Sequence, residues 1–424
     1  MKILLVTDSF PPNCGGSGWS TYELARGLRA RQHEVSIVQP RPGQSADGTR
    51  TYDGFVVEEI AAPAPPVPFV RNYFKNERLW ARLSDRLRAR VTESAVDVIH
   101  AQHVLTTVPA VEAARATGTP VVATVRDYWP VCYWSDLIYS HDAEQLCEAC
   151  TPANMRRCLR GRAGPAGVGA WPLIPYMRAN LRRKREGLAG ASAVVAVSSV
   201  IASDLRARAP ELATTRMVHI PNPVDIAAIR ASADALPRPM DRPYALYVGK
   251  LEPNKAAGQL VDIALEARLP LPLVVVGDGR LRADLERQAA ARSRDVELRV
   301  QGWLPREQVL AWMRHASLLV FPSKGPESLS RVLLEAAALG VPLAAMDTGG
   351  TRDIVMHEQT GLLSSDVSGL ARDVARLVAD PDLAGRLARA AAAHVERTFD
   401  APSVLSRIES LYESVRRDSG AARG

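Results

Sequence analysis

The chain has 424 residues, 47% of them apolar and 23% charged, and carries a formal net charge of +7. At roughly 150 residues per domain this length argues for two to three globular domains with ample chain for large cores, in a composition ordinary for a soluble protein. The positive balance suits an anionic small ligand, an acidic membrane surface or nucleic acid. Nucleic acid is the weakest of these, because the basic residues are spread along the chain with no zinc-finger, helix-turn-helix or RNP pattern.

The first element is a strand, MKILLV at residues 1–6. That run is too short, and too soon followed by Asp8 and Pro11–Pro12, to be the apolar region of a signal peptide. No later stretch approaches the ~20 apolar residues of a membrane span, so the expected location is cytoplasmic, with a peripheral place at the inner membrane face as a variant. Ser20 and Glu23 have capping-box spacing and predict a helix to about Arg31. EVSIVQP, VDVIHA, PVVATV and AVVAVS follow as short β-branched runs with helical segments between several of them. Residues 201–220 read as a helix and one more strand, RMVHIP. Ala231 to Pro243, with Pro237, Pro239 and Pro243, reads as a linker. The alternation then restarts with YALYVG, PLVVVGDG, VELRVQG, SLLVFPS, VPLAAMD and GLLSS, and from about Asp366 the chain is helical and rich in Ala and Arg. Such alternation predicts an α/β fold of two doubly wound domains, residues 1–230 and 244–395, followed by a helical segment at 396–424.

Ligands of open α/β sheets bind beyond the carboxyl ends of strands. The loops to inspect are therefore TDSFPPNCGGSG (7–18), RDYW (126–129), GKLEPNK (249–255), GDG (277–279) and SKGPESLS (323–330). Gly15 and Gly16 let a backbone approach a ligand where a helix N-terminus favours anions, or they simply make a turn. Lys250 and Lys255 lie five residues apart after a strand and can meet one diphosphate as point charges, although solvated surface lysines would look the same. Ser330 is placed to cap a helix that Gly340 ends before Pro342. Within that helix Glu335 is the one carboxylate in a run that is apolar all round, so burial and compensation are expected. An arginine would compensate it; so would a ribose diol, which donates two hydrogen bonds. Glu327 precedes the first turn, where it can bind a sugar, and the N–H groups of Ser328, Leu329 and Ser330 can hold phosphate between the two glutamates.

Four of the five cysteines, Cys132, Cys147, Cys150 and Cys158, are clustered in sequence. In a cytosolic chain this predicts a structural zinc site stapling a loop, with buried thiols or a disulfide as the alternatives. Cys14 reads as a lone small hydrophobe. The basic run Arg178 to Arg185 suits an anionic lipid surface or a charged lipid-linked acceptor, or a solvated helix face. Phe69, Tyr73, Phe74, Leu79, Trp80 and Leu83 form an aromatic-rich patch that suits packing, an acceptor or a membrane.

Taken together, Glu327, seven residues, Glu335, then ALGVP, GG at 349–350 and TGLL at 360–363 resemble the retaining GT-B glycosyltransferases of family GT4. PPNCGGSG, VRDYWPVC, VSSVIASDL, VHIPNPVD and YVGKLEPNKAAG extend the resemblance over most of the chain. It implies two Rossmann-like domains facing across a cleft, with the last helix crossing back to the N-terminal domain. It implies a nucleotide-diphospho-sugar donor, UDP- before GDP-, held mainly by the C-terminal domain, and an acceptor hydroxyl, sugar or lipid-linked, on the N-terminal one. By position Lys250 and Lys255 match the pyrophosphate cations, Glu335 the ribose ligand, Glu327 the catalytic glutamate at the donor sugar and Gly16 the loop that closes on the donor. No catalytic divalent metal is implied. Three departures stand out: Arg126 where the family often has His, Ser-Leu-Ser after Glu327 in place of Gly-Phe-Gly, and Asp353 in place of Glu after the Gly-Gly turn. The alternatives are a sugar-nucleotide sensor or scaffold on the same fold, or another GT-B chemistry such as epimerisation.

Overall fold

The computed structural model describes residues 1–65, 70–139 and 146–421. In the N-terminal half the strands are β1 Lys2–Val6, β2 Glu34–Pro42, β3 Gly48–Tyr52, β4 Phe55–Ala62, β5 Val98–Ala101, β6 Val121–Val125, β7 Ala193–Ala196 and β8 Met217–His219. They pair in the order β3-β4-β2-β1-β5-β6-β7-β8, parallel except for the β3–β4 hairpin. The C-terminal half holds β9 Ala245–Val248, β10 Leu273–Val276, β11 Leu298–Gly302, β12 Leu318–Phe321, β13 Leu343–Met346 and β14 Leu362–Ser364. These form a second, wholly parallel sheet in the order β11-β10-β9-β12-β13-β14. Strands β5, β6, β7, β10, β12 and β13 are buried at every residue, which is why they read as continuous apolar runs.

The hairpin β3–β4 was not expected. Its turn is Asp53-Gly54, with φ of 48° and 72°, the two positive values that a two-residue hairpin loop of this hand requires. The first helix also differs from the reading of Ser20 as its cap. It runs Gly16–Ala30, capped at Gly15. Ser20 lies in its second turn and donates to the Gly16 carbonyl at 3.0 Å, while Glu23 turns to Arg331 in the other domain.

Residues 231–234, expected to begin a linker, instead complete the helix Ile226–Asp234, which Asp225 caps by accepting from the Ala228 N–H at 2.8 Å. Ile226, Ile229 and Ala233 are buried in the C-terminal core. The chain returns beside this crossing: the Val224 N–H donates to Phe399 at 3.0 Å and the Ala401 N–H to Val224 at 2.9 Å. The helix Pro381–Phe399 stays on the C-terminal domain, with Val395 and Phe399 in its core. The helix Ala401–Ala421 packs on the N-terminal domain, burying Val404, Ile408 and Tyr412 against Ile3, Leu5 and Leu28. The return therefore falls at Asp400, and residues 396–399 belong to the preceding helix. Each large apolar side chain buried there contributes roughly 1.5–3 kcal/mol, which ties the tail to the first domain. Strand order reverses between β1 and β5 and again between β9 and β12, the two places where such sheets open a crevice at their carboxyl ends.

Candidate functional site

The loops leaving those strand ends enclose a cleft of about 550 Å³ between the domains. Gly16, Ser17, Ser20, Arg126 and Asn222 line it from one side; Lys250, Lys255, Glu327, Ser328, Leu329, Ser330 and Arg331 line it from the other.

Glu327 follows β12. Its Oε1 accepts a hydrogen bond from the Ser323 hydroxyl at 2.6 Å and pairs with the Lys255 ammonium, leaving the side chain 11% exposed. The backbone is fixed from behind, where the Gly350 N–H donates to the Glu327 carbonyl at 2.7 Å. Gly349 has φ of 52°, and a Cβ there would lie 2.0 Å from that same carbonyl, so only glycine fits. This explains the Gly-Gly pair in physical terms: it supports the Glu327 loop. Lys255 is thus held by Glu327, not free; an ammonium has three donors and can still serve a second anion. Lys250 is exposed on the cleft wall, and its carbonyl accepts from the Tyr247 hydroxyl at 2.9 Å. Burial, helped by the Glu327 charge, pushes the Tyr247 phenol above its ordinary range.

Ser330 caps the helix Arg331–Ala338, accepting from the Leu333 N–H at 3.3 Å, and Gly340 ends it with φ of 72°, both as expected. The N–H groups of Ser328, Leu329 and Ser330 take no protein acceptor among the described residues. Glu335 is buried at 8% exposure and is compensated by arginine: Arg331 donates to its Oε1 at 3.0 Å and Arg306 pairs with the same oxygen at 2.9 Å. Of the two compensations open in the sequence, this is the arginine one. Glu335 sits behind the cleft wall, which is formed there by Arg331. Arg331 also pairs with Glu23 of the first helix, so one guanidinium joins both domains.

Arg126, at the end of β6, is 7% exposed; its Nε donates to Asn222 Oδ1 at 2.8 Å and its Nη1 to the Gln102 carbonyl at 2.9 Å. Burial brings its pKa down to about 10. Gly15 and Gly16 are exposed, and a Cβ on either would meet nothing within 4 Å. Their value at the cleft is the backbone surface they leave open. Asp353 binds across the domains, accepting from the Ser199 N–H at 2.7 Å and from the Ser199 hydroxyl.

The zinc expectation concerns Cys132, Cys147, Cys150 and Cys158. All four cysteines are free thiols, and no three or more metal-binding side chains are gathered to hold an ion among the described residues. Cys147 and Cys158 pack with Tyr139, while Cys150 packs with the group of Tyr133 and Met155. Burial, with the neighbouring cysteines adding to it, pushes the Cys158 thiol up to about 12 and Cys150 up to about 11. The basic run is partly structural. Lys184 is 5% exposed with its ammonium 5.5 Å from the Tyr133 ring centre, Arg183 pairs with Glu77, and the Arg185 Nε donates to the Pro130 carbonyl at 2.7 Å. In the aromatic patch Leu79, Trp80 and Leu83 are core, Tyr73 is 41% exposed, and Phe69 lies outside the described residues. No helix among the described residues is long and apolar enough to cross a membrane.

One group escaped the sequence reading. His103, just after β5, lies between Asp8, after β1, and Asp127, after β6. The strand-end rule reached Asp8 and Asp127 within their loops, but pointed to nothing after VDVIHA.

Comparison with known proteins agrees with this architecture. Residues 14–228 match the model of Glycosyltransferase Family 4, and residues 229–394 that of Glycosyl transferases group 1. Glycogen synthase of Mycobacterium tuberculosis is 28% identical, over 98% of this chain and 95% of its own length. A GDP-mannose-dependent alpha-mannosyltransferase of Mycolicibacterium smegmatis is 29% identical with both chains fully covered. Among solved structures, sucrose-phosphate synthase from Thermosynechococcus elongatus superposes with a TM-score of 0.70 at 20% identity, covering 98% of this chain and 99% of that one. Anabaena Alr3699/HepE in complex with UDP does so at 0.68 and 18%, covering 98% and 100%. With its two Rossmann-like domains and matching halves, the chain belongs to glycosyltransferase family 4 and is a glycosyltransferase of GT-B architecture.

Proposed function

We propose that this glycosyltransferase moves a hexose from a nucleotide-diphospho-sugar, UDP- before GDP-, to a hydroxyl of a polysaccharide or other cell-envelope acceptor, with retention of configuration. The observation that carries the reading is the convergence of Lys250, Lys255, Glu327 and the uncommitted N–H groups of Ser328 to Ser330 on one wall, opposite Gly16 and Arg126. Lys250, Lys255 and the helix N-terminus supply positive charge where a diphosphate leaving group develops negative charge, the role that preorganised donors play in a water-poor site. Lys255 bridges that leaving group to Glu327. Glu327 then orients the sugar with its remaining oxygen and is not a nucleophile. The C1–O bond to the diphosphate breaks, the acceptor oxygen bonds to C1 from the same face, and its proton passes to a phosphate oxygen. Glu335, paired with Arg331 and Arg306 behind the wall, serves the donor site by holding Arg331 in the cleft lining. The GDP-mannose-dependent mannosyltransferase among the relatives and the UDP in the HepE complex support a sugar-nucleotide donor. Placement near an anionic membrane rests only on the basic Arg178–Arg185 face.

The test is binding of UDP-, GDP- and ADP-sugars to wild type and to a Lys250→Ala/Lys255→Ala variant, followed by transfer assays with the donor that binds. One nucleotide sugar bound by wild type and at least about tenfold more weakly by the variant supports the diphosphate assignment. Binding of none by folded protein refutes it in favour of a scaffold.

A further inference from the structure

The basic residues are spread along the chain, but their excess over acids is not. Residues 146–190 hold eight arginines and one lysine against two glutamates, so the whole formal charge of +7 lies in these 45 residues and the remainder is balanced. The basic Arg178–Arg185 face is one part of this larger unit. The unit lies between β6 and β7 and consists of the helix Pro152–Ala163, a one-turn helix Ala166–Gly169, a turn Trp171–Leu173 and the helix Ile174–Ala189. Tyr133, Met155, Leu159, Ile174 and Met177 give the two long helices a small core of their own. Neighbours neutralise part of the charge. Arg162 pairs with Asp136, Arg182 with Glu186, Arg183 with Glu77 and Arg185 with Glu211, and Lys184 is buried against Tyr133. Arg156, Arg157, Arg160 and Arg178 are exposed and have no carboxylate partner among the described residues, against one exposed acid of the unit, Glu148, that is likewise unpaired.

The connector between the two long helices is the opposite in character. GPAGVGAWPLIPYM, residues 164–177, carries no charge and runs from just after Arg162 to Arg178. Gly167 fastens it to the first helix, its backbone so close to the Leu159 carbonyl that a Cβ would stand 2.1 Å away. Val168 and Trp171 are left outside, 45% and 39% exposed. The Arg156 guanidinium lies over the Trp171 ring at 5.4 Å, so charge and aromatic share one surface. Tyr73, also exposed, meets Tyr176 at the connector's far end with ring centres 6.4 Å apart. Arginines alone would be a solvated helix face. An uncharged, aromatic strip rimmed by arginines suits a bilayer interface, where indole and phenol rings sit at headgroup level and basic side chains meet anionic lipid. A soluble polyanion would use the arginines but offer Val168 and Trp171 nothing apolar.

We propose that residues 152–178 are a docking surface for an anionic lipid bilayer, in which Val168 and Trp171 enter the boundary between headgroups and acyl chains while Arg156, Arg157, Arg160 and Arg178 meet lipid phosphates. The contact is peripheral and reversible: a small apolar strip binds weakly by itself, and a basic patch adds the second attraction. Salt therefore weakens it, because the arginines are exposed and their attraction is screened. The proposal deepens the membrane placement named above and rests on the glycosyltransferase reading for its purpose. The unit is fastened to the loop after β6, where Arg185 Nε donates to the Pro130 carbonyl at 2.7 Å, and that loop opens with Arg126 on the cleft wall. Docking thus brings the N-terminal side of the cleft to the membrane and favours an acceptor carried there.

The test is co-sedimentation of the full chain with vesicles of phosphatidylcholine alone and of phosphatidylcholine mixed with phosphatidylglycerol. Wild type should bind the mixed vesicles at least about tenfold more tightly, and added salt should release it. Arg156→Gln/Arg160→Gln/Arg178→Gln and Val168→Ser/Trp171→Ser should each weaken that binding by about tenfold or more. Both variants change exposed positions outside the cleft lining, so each should unfold thermally like wild type and keep its nucleotide-sugar binding. Mixed vesicles should also shift wild-type tryptophan emission to the blue, and Trp171→Phe should bind yet lose that shift. Equal binding to the two kinds of vesicle, binding to neither, or unchanged binding in either multiple variant would overturn the proposal. So would heparin bound as tightly as the mixed vesicles by wild type and by Val168→Ser/Trp171→Ser alike, which would assign the arginines to a soluble acidic polymer. These measurements need no donor. Failure of the nucleotide-sugar panel would sink the donor reading by itself, whereas failure here would leave that reading intact.

Discussion

Replacing Arg331 by Met keeps most of its shape and removes its charge. The wild-type guanidinium is 20% exposed and lies between Glu23 at 9% and Glu335 at 8%. Breaking a buried pair by removing one partner costs about 3–5 kcal/mol, because a charge is left in a poor solvent. Arg306 still pairs with Glu335, so the stranded group is Glu23, whose Oε2 already has no partner. The lower end applies, about 3 kcal/mol. Glu23→Gln in the same chain removes the stranded charge and should recover about 2 kcal/mol of that loss, since a neutral amide is far cheaper to bury. Urea unfolding followed by tryptophan fluorescence reads both quantities at the first transition. Because the pair spans the cleft, solution scattering should also report a larger radius of gyration for Arg331→Met than for wild type. A single variant within about 0.5 kcal/mol of wild type, or a double variant no more stable than the single, would refute the assignment of Arg331 as a charge bridge between the domains.

Glu327→Ala should lower kcat on the order of 10²-fold or more, as loss of a positioning contact does; wild-type turnover with the identified donor would remove Glu327 from the mechanism. Gly349→Ala places a Cβ against the Glu327 carbonyl at positive φ. It should cost more than about 1 kcal/mol in thermal or urea unfolding and lower activity with it, through the displaced loop. His100, held between Tyr412 and Thr124, is drawn down to about 3 by burial and by Arg126. Its neutral form is the folded one, so its contribution is complete above the unfolded value of about 6.5 and is lost as pH falls toward 3. Near pH 4.5 the loss amounts to about 3 kcal/mol, and His100→Asn should flatten that part of the stability–pH curve measured by urea unfolding. An unchanged slope would place the acid sensitivity elsewhere.

Much of the architecture was legible because the central strands are covered on both faces. VDVIHA, PVVATV, PLVVVGDG and SLLVFPS announce themselves as apolar runs, and their ends locate the loops around the cleft. Features with weaker one-dimensional signals escaped. The edge pair TRTY and FVVEEI mixes polar and branched residues, and only its Asp-Gly turn marked it. Ser20 and Glu23 have the spacing of a cap, but i and i+3 are also neighbours within a helix, so the pattern cannot distinguish a start from a second turn. Glu335 shows both sides of the matter. Its i−4 neighbour Arg331 was in plain view along the helix, whereas Arg306 comes from another element, and nothing local forecasts it. The same holds for His103. Its carboxylate partners lie 95 and 24 residues away, and they meet only because β1, β5 and β6 are adjacent in the sheet. Contacts within one loop or helix were readable, and contacts made by strand order were not. The cleft wall at Glu327 to Ser330 belongs largely to the first kind, since it is one continuous segment. The Asp8–His103–Asp127 array belongs to the second, assembled by topology from three strand ends.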